Sequence, residues 1–164
     1  MTHRNINMNY VQLQNNPKDL FKLIKFIEAI NGNFSPSILS IVSSINDYAA
    51  KLLDNAYVLA AIEQGNVVGV VGIYANDTAN KVGFISIIGV IKIKQRCGIG
   101  QCLMNKASQY ACNNGMRVLR LEVQSKNYTA IKFYELSGYV RVADNYKNGV
   151  NMIVMERKLF AKIN

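Results

Sequence analysis

Three cations and two glycines, Lys92, Lys94, Arg96, Gly98 and Gly100, fall within nine residues where an apolar run gives way to an amphipathic one. Ammonium and guanidinium groups neutralise phosphate oxygens, and glycine lets backbone N–H groups come close to a ligand. A helix beginning near Ile99 adds its unpaired first-turn donors and the positive end of its dipole. The chemistry this stretch suits is the binding of a di- or triphosphate group.

Spacing narrows the choice of phosphate. A P-loop needs Lys and then Ser or Thr directly after its turn, and Gln101 and Cys102 stand there instead. A dinucleotide-binding turn needs a third glycine where Leu103 stands. What remains is Gln95-x-x-Gly98-x-Gly100, preceded by Val90, and this resembles the pyrophosphate-binding motif of the GNAT acetyltransferase superfamily. The strand-forming run from Val118 to Val123, then Asn127, Ala130, Phe133 and Tyr134, and the pair Gly138-Tyr139 follow in that family's order and spacing. The resemblance spans roughly residues 57 to 158.

It implies an α/β, GNAT-like single domain over residues 1–164, with a mixed, mostly antiparallel sheet, helices on both faces and one parallel strand pair splayed at an acetyl-CoA site. The co-substrate would lie against Ile88, Gly89 and Val90, the turn Gln95, Arg96, Cys97, Gly98, Ile99, Gly100 and Gln101, and the later residues Asn127, Ala130, Phe133 and Tyr134. The family's helix tyrosine matches Tyr134, whose phenol can protonate the departing thiolate. Asn127 stands at the family's asparagine position, to hold the cofactor arm, order the strand-helix turn or simply cap the helix. A backbone N–H near Val90 would stabilise the acetyl oxyanion, a role that leaves no mark in side chains.

The general base is the gap. Some family members carry a glutamate on the strand before the motif, where this chain offers Phe84, Ser86 and Ile88, none able to accept a proton at neutral pH. Two substitutes are Ser86, ordering a water, and Glu122, on the opposite face of its strand from Leu121 and Val123, where it faces the cleft or pairs with a lysine. Lys92 replaces the family's frequent proline, and Cys97 also departs from the usual residue; neither change removes a backbone donor. The acceptor implied by resemblance is an amino sugar or nucleotide-linked amino sugar, with a protein N-terminal or lysine amine as alternative and a non-catalytic acetyl-CoA-binding module as the reading from another class.

Composition agrees with one enzyme-sized domain. At 164 residues, 50% hydrophobic and 18% charged, the chain buries a core without disulfides or metal. Three cysteines are too few for a disulfide framework, and one histidine, His3, leaves no zinc constellation and no partner for a cysteine nucleophile. The net charge of +9 matches a phosphate-rich ligand. The basic residues are otherwise scattered and lack aromatic interleaving, so no nucleic-acid partner is expected. No apolar run reaches the roughly 18 residues of a membrane span, and no leader is evident, which points to a cytoplasmic protein without a membrane partner. A homodimer is compatible with the composition.

The elements that must position these residues follow from periodicity. Residues 7–14 alternate weakly, as an edge strand. Asn16-Pro17 starts a helix that runs to Asn31-Gly32, and Ser35-Pro36 starts a second that stops at Asp54-Asn55. Strands are expected at 57–63, 67–74 and 82–91, and Gly89 inside the last marks a bulge or a close approach. A helix from Ile99 to Gly115, a buried strand from Val118 and tail strands at 139–143 and 151–159 complete the domain. Strand, helix, strand at this length demands a right-handed crossover to a parallel neighbour, aiming the helix N-terminus at the carboxyl end of a strand. The acceptor pocket would be walled by the loop at 31–34 and the polar loop at 144–149.

Overall fold

A computed structural model describes residues 8–33 and 42–160 of the chain. These residues form seven strands and four α-helices: β1 (Asn9–Gln12), α1 (Pro17–Ile30), α2 (Ile45–Asn55), β2 (Tyr57–Glu63), β3 (Asn66–Asp77), β4 (Val82–Val90), α3 (Ile99–Asn113), β5 (Val118–Gln124), α4 (Tyr128–Leu136), β6 (Val140–Lys147) and β7 (Val150–Lys158). One sheet takes them in the order β1-β2-β3-β4-β5-β7-β6. All neighbours are antiparallel except β4 and β5, which run parallel.

The first helix forms where its caps demand. Asn16 accepts from the Asp19 N–H at 2.9 Å, Pro17 occupies the first helical position, and Leu23, Phe26, Ile27 and Ile30 make the buried stripe. The second expected helix differs. Its described part starts at Ser44, whose hydroxyl accepts from the Asp47 N–H at 3.2 Å, after a bend at Val42 and Ser43; residues 34–41, including the Ser35-Pro36 start, lie outside the described residues. The Ser44 cap sets where this helix begins.

The helices cover the two faces of the sheet through separate apolar clusters. α1 and α2 pack Leu23, Ile27, Ile30, Ala49 and Leu52 onto Val58, Ala60, Val70 and Ile87. On the opposite face, α3 packs Ile99, Leu103, Met104 and Ala107 onto strand residues that include Leu59, Val71, Ile85, Leu119 and Leu121, with Ala130, Phe133 and Tyr134 of α4 against the same cluster. Gly69 permits this close seat: a Cβ there would meet Ile99 Cγ2 and Leu103 Cδ1, each at 3.0 Å.

Two features of the sheet differ from the periodicity reading. The polar stretch 144–149 is not a loop, because β6 continues to Lys147 and turns through Asn148 and Gly149, at φ 49° and 79°, into β7. Asn-Gly is the preferred pair for a two-residue hairpin with both residues left-handed, and that turn overrides the polarity of its flanks. The bulge in β4 is at Ser86, not Gly89. Ile85 pairs with Ile73 and Ile87 with Gly72, which leaves Ser86 as the extra residue, whereas Gly89 pairs regularly with Val70.

Among the described residues no helix is long and apolar enough to cross a membrane.

Candidate active site

β4 and β5 are joined over only three pairs, Val82 with Val118, Gly83 with Leu119 and Phe84 with Arg120. Past Phe84 the two strands part, and the bulge at Ser86 comes two residues beyond the last pair. The resulting gap has one lip on β4, carrying Ile88, Gly89 and Val90, and one on β5, carrying Leu121 to Gln124.

At the top of the β4 lip a short 3-10 turn, Lys92–Lys94, leads into the loop before α3. Arg96 has φ 62° and Gly98, the N-cap of α3, has φ 80°, with no side chain capping the helix. Left-handed residues alternating with others turn successive N–H groups toward one concavity. Among the described residues nothing accepts from the N–H groups of residues 96–101, and the first bond of the helix is Cys102 N–H to the Gly98 carbonyl at 3.0 Å. The loop is therefore a ring of free donors at a helix N-terminus, suited to pyrophosphate oxygens.

Side chains of the motif brace this loop. Gln95 Nε2 donates to the Val90 carbonyl at 3.1 Å, tying the loop to the end of β4. Gln101 accepts from the Ser137 hydroxyl at 3.1 Å and donates to Asn105 Oδ1 at 3.1 Å, joining α3 to the end of α4. Cys97 is exposed, with its thiol 3.6 Å from the Gln95 carbonyl, and Ile99 is buried against the sheet. Lys94 does not stand free for phosphate: it pairs with Glu63 at 2.6 Å, beside a groove of 220 Å³ whose lining includes Met8, Tyr10 and Cys97. A nearby carboxylate on β2, invisible to a local motif, has taken it. Lys92 and Arg96 remain exposed.

α4 faces this loop. The Phe133 ring lies over Gly100, where an added Cβ would sit 3.5 Å from Cζ and 3.8 Å from Val90 Cγ2. Asn127 accepts from the Ala130 N–H at 3.1 Å, so its side chain caps α4 and orders the turn after β5. Tyr134 packs edge-on against Phe133 and Tyr139 with ring centroids 5.5 and 6.0 Å away. Burial pushes its phenol up to about 12, so it holds its proton at neutral pH. No described residue takes a hydrogen bond from that hydroxyl, and none of their side-chain polar atoms is both sealed and unpartnered, so the hydroxyl reaches an opening. The phenol is thus not tied to a backbone carbonyl of any described residue.

The other two candidates lie on the opposite face. Leu121 and Val123 join the cluster beneath α3 and α4, so Glu122 between them points away from Tyr134. Its carboxylate accepts from Asn145 Nδ2 at 3.2 Å and sits 3.5 Å from Lys147 Nζ, both on β6. Ser86 is held on that same face by α2. The Tyr48 hydroxyl lies 3.2 Å from the Ser86 carbonyl and 3.1 Å from its Oγ. Burial raises the Tyr48 pKa, with Ser86 acting in the opposite sense and Tyr74 adding to the rise. Since Phe84 pairs with Arg120, Ser86 and Glu122 stand at matching levels on the two lips. Beside Glu122, Arg120 pairs with Glu156 at 2.5 Å. Tyr48 carries no motif and was missed from sequence.

The donor set, a parted parallel pair and an unpartnered phenol together match one architecture. Residues 25–139 match the Acetyltransferase (GNAT) family. The chain belongs to that family. Solved GNAT-like structures share its fold at low identity. A ribosomal-protein alanine N-acetyltransferase from Escherichia coli superposes with a TM-score of 0.75 at 18% identity, covering 96% of this chain and 97% of that one. An aminoglycoside 6'-N-acetyltransferase complexed with coenzyme A gives 0.76 at 16%, covering 95% and 99%. A proposed streptothricin acetyltransferase from Bacillus anthracis, in complex with acetyl coenzyme A, gives 0.59 at 25%, covering 65% and 64%. No curated protein matches the sequence. Among the described residues no group of three His, Cys, Asp or Glu side chains is placed to hold a metal ion.

Proposed function

We propose that this GNAT acetyltransferase moves an acetyl group from acetyl-CoA to a primary amine on an amino sugar or nucleotide-linked amino sugar, by direct attack. The observation that carries the reading is the gap between β4 and β5, which has free N–H donors and an unpartnered tyrosine on one face and a serine and a carboxylate on the other. The residues present fit the co-substrate: the concavity at 96–101 suits its pyrophosphate, and Ile88, Val90, Ala130 and Phe133 lie together on the α3 and α4 face along the way to the gap.

Bound there, acetyl-CoA supplies a thioester whose C–S bond breaks as the new N–C bond forms. The β4 backbone past the bulge offers donors to the acetyl oxygen as charge develops on it. Tyr134 gives its proton to the leaving sulfur, which a phenol at about 12 can do because it stays protonated until that charge appears. On the opposite face the attacking amine sheds its proton through water held by Ser86, or to Glu122, whose carboxylate keeps lone pairs beyond those used by Asn145 and Lys147. A hydroxyl-rich amino sugar suits a cleft edge made of Ser86, Asn145, Arg120 and two carboxylates, Glu122 and Glu156.

The protein-acceptor alternative retains the support of the E. coli neighbour's fold. Release of free thiol from acetyl-CoA, measured across nucleotide amino sugars and N-terminal peptides side by side, separates the two. Sugar-dependent release is the expected outcome; release with peptides alone would replace the acceptor, and binding of acetyl-CoA with no release by any amine would favour a non-catalytic module. Cytoplasmic location and a homodimer remain parts of the same proposal.

A further inference from the structure

We infer that Tyr48 is a positioning residue, which sets the direction of the β4 lip by holding the bulged Ser86 through two hydrogen bonds; this rests on the reading of the gap as the acetyl thioester site. A bulge leaves its extra residue without ladder partners. Here the pairs on either side, Ile73 with Ile85 and Gly72 with Ile87, skip Ser86, and its carbonyl is taken by the Tyr48 phenol at 3.2 Å. A phenol has one proton. Donated to the carbonyl, it leaves the Ser86 hydroxyl as donor across the second contact, 3.1 Å long. Both bonds converge on one atom of a side chain whose helix is anchored by Ile45, Ala49, Leu52 and Leu53 in the cluster beneath β2, β3 and β4.

The position of this brace is what gives it a function. It acts two residues past the last β4–β5 pair, where no strand on that side constrains β4. Beyond it on β4, Ile88 and Val90 line the face where the acetyl group is placed. Losing the phenol oxygen orphans a half-buried carbonyl, and the lip is then free to relax toward water or toward β5. CoA passes Ile88 and Val90 along its arm but lacks the acetyl oxygen that the β4 donors are placed to hold, so the loss falls more heavily on acetyl-CoA than on CoA.

The test uses the full chain and Tyr48→Phe, with amide hydrogen exchange over residues 85–90 and calorimetric affinities for acetyl-CoA and for CoA. Exchange in the variant should quicken, CoA affinity should change less than acetyl-CoA affinity, and the ratio of acetyl-CoA to CoA affinity should fall by roughly fivefold, the worth of about one hydrogen bond. A tyrosine of merely structural value would lower the melting temperature and leave that ratio untouched, which would overturn the inference. Wild-type protein that binds neither compound would overturn the cofactor reading, and the positioning role with it; the wild-type measurement therefore tells the two failures apart.

Discussion

The sheet divides at the β4–β5 join into two arms that are built differently. β1 to β4 have helices on both faces, α1 and α2 on one and α3 on the other, and β2 and β3 run through several consecutive buried residues each. β5 and β7 are covered on the α3 and α4 face only, and every residue of β6 is exposed. The difference teaches where each kind of chemistry is kept. The first arm carries the loop of free N–H donors at the end of β4, while the second brings the polar and charged groups, Arg120, Glu122, Asn145, Lys147 and Glu156, to an uncovered face.

The largest effect should come from Gly100→Glu. Its side chain would enter the space between Phe133 and Val90 and set a carboxylate among donors meant for phosphate, a like-charge placement worth several kcal/mol. Calorimetry should show acetyl-CoA affinity reduced by more than about 100-fold. Binding retained within an order of magnitude would mean that the phosphates lie elsewhere.

The contrast in packing can be broken directly with Leu23→Ala and Val142→Thr. Leu23 is fully buried in the first arm, and truncating it should cost about 2–5 kcal/mol in urea unfolding. Val142, 48% exposed on β6, should change stability by less than about 0.5 kcal/mol. Equal losses would show that β6 is covered in solution.

Tyr134→Phe tests whether the second arm contributes chemistry or only surface. Turnover should fall on the order of 100-fold, as for loss of a general acid, with acetyl-CoA affinity within about twofold of wild type. Unchanged turnover would remove Tyr134 from the mechanism.

The smallest effect is alkaline. Burial is the first cause raising the phenols of Tyr10, Tyr48, Tyr57, Tyr74, Tyr134 and Tyr139, four in the first arm and two in the second. In the unfolded chain they ionise near ~10. The folded protein therefore holds more protons above that pH, and its stability is fully present below pH ~10 and declines as pH rises through about 12. Flat stability over that window would mean the rings are more hydrated than their packing indicates.

What could be read from sequence followed how local its cause was. α1, α3, the β2–β3 hairpin and the glycine loop are specified by residues within one turn of each other, such as Asn16, Pro17 and Gly98, and the structure has them within a residue or two. The reading failed where a distant partner decided. Glu63 captured Lys94, Tyr48 accompanied the bulge at Ser86 rather than Gly89, and the lysine that pairs with Glu122, one of the two expected alternatives for that residue, came from a strand that polarity had marked as loop. Asn148-Gly149 was a local signal all the same, and its meaning was masked by the polar residues around it.

The uncovered outer strand also bears on how such an enzyme changes over time. Because no residue of β6 is buried, substitutions there meet little resistance from folding, while two of its side chains already reach the carboxylate at the gap. Under the proposed function, a lineage can therefore try new acceptors by drifting along β6 and leave the donor loop on the other arm unaltered.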